Sequence, residues 1–292
     1  MRAVRRLRHH AAMRHSDTVQ QALGFLLGLT DEDTAARIRA RAGLPAPQSP
    51  EAARLRLESV WTWRQRVPVS VVLWVLEQDD PALNAVVWHH LDTDAGLRRA
   101  VARGVPFGPG RTEPVPVGPG RLPGGEPAIP ESYVRLGLVG ALRAAATMPA
   151  AREAGSMVLT RDDWAAVAAA DAEHPLPGYT RWVLSVRPDC PPALRARFGS
   201  HPKFTHRVRQ AGVLAGPADY ARDHGPAAHV LEVLALGRLM FPTRVRDAED
   251  ALRPLVQDHL GDREEAWAVL AQIAGTFHGT APELVRTAGA IA

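Results

Sequence analysis

Hydrophobic positions in this chain recur at helical spacing in short runs, and the runs are punctuated by proline, glycine and good capping residues. Val19, Ala22, Leu23, Leu26 and Leu27 predict a helix from Ser16 or Asp17 to Leu27, closed at Gly28. Thr30 followed by Asp33 has the form of a capping box, opening an arginine-rich helix to Arg41 that Gly43 and Pro45 close. A further helix from Ser49-Pro50-Glu51 to Arg66 has Ala52, Leu55, Leu57, Val60 and Trp61 on its apolar face. Val69 to Leu76 (VSVVLWVL) is apolar all round. Its β-branched content suits a strand as well as a helix, and its helical surroundings favour a buried helix. Asp80-Pro81 caps a helix reaching His90, and Thr93 and Gly104 bracket another.

The pattern breaks between Val105 and Pro130, where eight prolines and six glycines exclude a regular helix. Gly108-Pro-Gly-Arg111 recurs there as Gly118-Pro-Gly-Arg121. Helical spacing resumes over Glu131–Ala146, and Thr160 with Asp163 predicts a capping box for a helix to Glu173. Pro177–Val186, Pro192–Phe198, Pro202–Gly212 and Pro217–Asp223 read as short proline-started helices. Pro226–Met240, with Val230, Leu231, Val233, Leu234, Leu236 and Leu239, is too apolar for a surface and is expected at the centre of the C-terminal half. Thr243–His259, Asp262–Phe277 and Pro282–Ile291 complete an all-α chain. The expected architecture is an irregular array of short antiparallel helices. It divides into a basic arm (1–15), a helical half (16–104), a Gly/Pro-rich linker or long loop (105–130) and a second helical half (131–292).

Composition narrows the function classes. Cys190 is the single cysteine, so no intrachain disulfide or multi-cysteine zinc framework can form, and a reducing cytoplasm is the expected compartment. No apolar run approaches the roughly 20 residues of a membrane span, and the N-terminus lacks the apolar core of a secretory signal. The isoelectric point near 9.9 suggests nucleic acid until the charge is located. Arg2, Arg5, Arg6, Arg8 and Arg14 outnumber the whole formal net charge of +4, leaving the rest near balance. Every basic side chain but Lys203 is arginine, which together with Ala, Pro and Gly richness reflects a GC-rich coding bias.

Candidate chemistry is sparse. His89-His90 lies beside Asp92 and Asp94, but adjacent helical side chains point about 100° apart and would not share a metal. The pairs His201/His206 and His224/His229 are five apart, and no His-Glu-x-x-His occurs. Cys190, beside Asp189, is set to have a raised rather than lowered pKa. No nucleophile elbow or phosphate cradle is present, so no catalytic residue, metal or cofactor is assigned. Two clusters mix an aromatic with cations as binding surfaces do: Trp88, His89, His90, Arg98, Arg99 and Arg103, and Lys203, Phe204, His206, Arg207 and Arg209. The bland reading of each is a buried aromatic under a solvated basic face.

Asp80-Pro-Ala-Leu-Asn-Ala-Val-Val87 is echoed in Pro191-Pro-Ala-Leu-Arg-Ala-Arg-Phe198. Arg187-Pro-Asp-Cys-Pro-Pro-Ala-Leu194 and His201-Pro-Lys-Phe-Thr-His-Arg-Val208 resemble units of leucine-rich-repeat-variant and HEAT-like helical solenoids, including actinobacterial proteins. The resemblance covers about a third of the chain, without a constant period over three copies. It implies binding rather than catalysis, because stacked helix pairs present broad surfaces. The expected function is therefore a non-enzymatic protein-interaction scaffold or adaptor. Nucleic-acid binding through the basic clusters, or an enzyme site assembled from sequence-distant residues, are the alternatives.

Overall fold

A computed structural model of the chain describes residues 17–46, 67–90, 94–117, 122, 125–199 and 212–292. The described residues form fifteen helices and no strand, as the spacing predicts. None of these helices is long and apolar enough to cross a membrane. The expected helix at 51–66, the one at 202–212 up to its last residue, and the basic arm lie outside the described residues.

The chain forms two compact units, one of residues 1–57 with 215–292 and the other of residues 58–214. These boundaries differ from the sequence-based division: the N-terminal helices join the C-terminal ones, and 105–130 falls inside a unit rather than between two.

The first unit contains α1 (17–27), α2 (Glu32–Ala42), α11 (Pro217–Asp223), α12 (Ala227–Met240), α13 (Pro242–His259), α14 (Glu264–Ile273) and α15 (Ala281–Ile291). The near-continuous apolar run of α12 places nine of its residues in the interior, where a helix hydrophobic all round must lie. Two arginines tie α1 to the C-terminal helices. The Arg238 guanidinium lies 4.7 Å from the Phe25 ring centre, donates to the Phe25 carbonyl at 3.3 Å and pairs with Glu249 at 2.7 Å. Arg253 donates to the Leu29 carbonyl at 3.2 Å. Helix ends leave carbonyls unsatisfied, and these guanidinium forks supply the donors. Helix α15 packs against α11, α12, α13 and α14, so contacts in this unit extend beyond sequence neighbours.

One cap differs from expectation. Helix α2 is capped by Asp31, whose carboxylate accepts from the Thr34 amide at 2.8 Å. Thr30 instead turns its hydroxyl back to the Leu27 carbonyl, also at 2.8 Å, closing α1.

The second unit contains α3 (Val69–Leu76), α4 (Pro81–His89), α5 (Ala95–Ala102), α6 (Glu131–Ala144), α7 (Met148–Ala154), α8 (Arg161–Glu173), α9 (Gly178–Ser185) and α10 (Pro192–Gly199). The ambiguous run over α3 is a buried helix, with Val71, Val75 and Leu76 fully enclosed. The start of the proline-rich segment after α5 is held by the turn before α4: Asp79, at φ 51°, accepts from the Phe107 and Gly108 amides at 2.8 and 3.1 Å. Val115 is buried, and its amide donates to the Gly104 carbonyl.

Helix α8 has the predicted capping box of Thr160 and Asp163. Helix α6 is not the continuous helix expected over 131–146. Gly137, at φ 67° and ψ −179°, breaks it into two pieces, a conformation open essentially to glycine alone. Helix α7 was not anticipated, although Thr147 as cap and Pro149 in the first turn are ordinary start signals. A core of Ala141, Leu142, Met157, Trp164, Val167, Leu184 and Phe198, among others, joins α6 to α10.

Candidate binding cleft

The second unit carries a cleft of about 650 Å³, and five pieces of chain build it. Helix α9 and the turn after it supply Trp182, Val183, Val186, Arg187 and Pro188. The end of α7 supplies Arg152, Glu153, Gly155 and Ser156. The stretch entering α6 contributes Ala128, Ile129, Pro130 and Glu131, and the helix starts at Val69, Asp94 and Ala95 complete the lining.

Close approach of these pieces depends on two glycines. A Cβ at Gly155 would lie 2.8 Å from Val183 Cγ1, so glycine lets α9 pack directly on the end of α7. A Cβ at Gly96 would meet Asp94 Oδ1, Arg187 Nη1 and the Ser156 carbonyl at 3.1–3.2 Å.

Two interior arginines hold the cleft's shape. Arg187 donates through Nη1 to the Gly155 and Met157 carbonyls, and through Nε and Nη2 to Asp189 at 2.8 and 2.6 Å. Burial disfavours its charge, but Asp189, with a contribution from Asp94, outweighs that cost and shifts its pKa upward. Arg99, with no solvent exposure, donates to the Ser156 and Ala128 carbonyls and lies 3.3 Å from Glu126. Burial lowers its pKa, offset in part by Glu126. Glu126 also accepts from Arg103 at 2.8 Å, so one carboxylate and two guanidinium groups latch the 126–128 wall.

The remaining lining is apolar with a charged edge. Ile129 is 46% exposed, and α6, which starts at the edge, presents Val134 (72%) and Leu136 (42%) to solvent. Asp94, Glu131, Arg152 and Glu153 are exposed around it. Asp94 also caps α5, accepting from the Leu97 amide at 2.8 Å.

The first sequence-predicted cluster does not form one exposed face. Trp88, His90 and Arg99 are interior; His89 and Arg103 are exposed, and Arg98 is half-buried. The apolar face of α4 draws in Trp88, and backbone carbonyls draw in Arg99, so Arg99 is a clamp rather than a surface cation. Lys203, Phe204, His206, Arg207 and Arg209 lie outside the described residues. Neither His89 nor His90 lines the cleft. Among the described residues no three His, Cys, Asp or Glu side chains are grouped to hold a metal ion. Cys190 is buried, and burial pushes its thiol up to about 12.

Sequence reasoning passed over Trp182, Val186, Glu131 and Glu153. No local motif marks them, because they meet only where α7, α9 and the entry to α6 pack together. No family model, curated protein or solved structure matches the chain.

Proposed function

We propose that this chain is a non-enzymatic interaction module whose second unit receives a segment of another protein in the cleft between α7, α9 and the entry to α6. The observation that carries the reading is a preformed concavity of about 650 Å³ continuous with exposed Ile129. Such a hollow suits side-chain anchors, and exposed apolar groups at its edge favour a protein partner. Its walls are fixed by internal bonds of Arg99 and Arg187, so little ordering cost falls on binding. The likeness to helical solenoids belongs to the same proposal, as does a cytoplasmic setting. A nucleic-acid role draws less support, since the cluster around Arg99 turns its principal cation inward. An enzyme draws less because among the described residues no histidine or cysteine lines the cleft.

The test is selection of short random peptides displayed on phage against the full chain, with counter-selection against a chain carrying I129D and V186D. Both variants should keep the native circular dichroism, because Ile129 is exposed and Val186 half-exposed. Peptides that bind the wild-type chain and not the double variant are the expected result. A selection yielding only peptides indifferent to both substitutions overturns the reading.

A further inference from the structure

The charge around the cleft narrows its occupant. Among the described lining residues Asp94, Glu131 and Glu153 are exposed, against Arg152 as the one exposed cation. The second lining cation, Arg187, is buried and already neutralised by its two-pronged pair with Asp189. An acidic edge thus borders an apolar hollow in a chain whose formal net charge is +4. Arg2, Arg5, Arg6, Arg8 and Arg14 account for that excess, so the rest of the chain is near balance and the carboxylates of the edge set the field that a ligand meets. Trp182 adds an aromatic surface of the kind on which a cation is held.

We infer that the segment received by this cleft is amphipathic and basic, with aliphatic side chains in the hollow and Lys or Arg against Glu131 and Glu153. The inference rests on the interaction reading above and adds the partner's chemistry. A neutral apolar segment gains nothing from the carboxylates, and an acidic one is repelled by them.

Fluorescence anisotropy with the full chain tests it, using a labelled helical peptide of leucine and lysine and a matched peptide of leucine and glutamate. The Leu/Lys peptide is expected to bind at least roughly tenfold tighter, and Glu131→Gln with Glu153→Gln to remove most of that margin, each exposed pair being worth a factor of a few. Arg152→Gln is expected to tighten Leu/Lys binding, and added salt to weaken it. Equal binding of the two peptides, or Leu/Lys affinity unmoved by the glutamine variants, overturns the basic partner. If I129D with V186D still abolishes binding in that case, the cleft remains the binding site and only the charge inference fails. Leu/Lys binding that survives I129D with V186D, or no binding of either peptide, overturns the inference as well.

Discussion

Arg187 and Asp189 form a two-pronged ion pair across a single intervening proline, Nε to Oδ1 at 2.8 Å and Nη2 to Oδ2 at 2.6 Å. The pair leaves Nη1 for the Gly155 and Met157 carbonyls and sets the guanidinium 5.7 Å from the Trp164 ring centre. One side chain thereby joins the end of α7 to the turn after α9.

Arg187→Met should destabilise the chain by about 3 kcal/mol, because it keeps the aliphatic bulk but strands Asp189 and two interior carbonyls. Denaturant unfolding followed by circular dichroism measures the loss. The double variant with Asp189→Leu should recover part of it, since the stranded charge is then gone.

Asp171 gives the fold an acid-sensitive point. Burial raises its pKa, but bonds from Arg181 at 2.8 Å, the Leu176 amide at 2.9 Å and Arg197 at 2.7 Å outweigh this, and the net shift is downward from 3.8. A depressed folded-state pKa means the stabilisation is full above the unfolded value and is lost as pH falls through the folded one. The melting temperature should therefore drop as pH descends below 3.8. Asp171→Asn should start lower at neutral pH and show a shallower acid slope; identical slopes would contradict the assignment.

Gly137 should resist substitution for backbone reasons alone. A Cβ there meets no atom within 4 Å, so any cost of Gly137→Ala comes from its φ of 67° and ψ of −179°. A loss of about 1–3 kcal/mol in the unfolding free energy is expected. Gly24→Ala, equally open but without positive φ, should cost nothing or stabilise.

Cys190 should be inert while the chain is folded. It is 3% exposed, and its thiol is pushed up to about 12, chiefly by burial. Reaction with a thiol-specific chromogenic disulfide at mildly alkaline pH should be slow in native protein and fast in denaturant. Comparable rates in the two states would show that the turn around Asp189 opens readily.

The helices were legible in the sequence wherever the signal was local. The caps at Asp80 and Thr160 and the apolar run of α12 identify themselves within a few residues, because capping and helical period act over one turn. Thr147-Met-Pro149 was an equally local signal. The break at Gly137 was not readable, since glycine is also tolerated inside helices.

The arginines mark the limit of that legibility. Composition shows how many there are, but a guanidinium is equally at home in water or forked onto carbonyls. Arg99, Arg187, Arg238 and Arg253 reach backbone oxygens 28 to 224 residues away in sequence. Local signals along the chain are enough to specify short helical elements and most of the caps that bound them. Which helices share a unit, that Phe107 and Gly108 dock on the turn holding Asp79, and that a cleft opens between α7, α9 and the entry to α6 emerge only once the chain is folded. Those outcomes depend on pairing groups far apart along the chain, which helical periodicity does not encode.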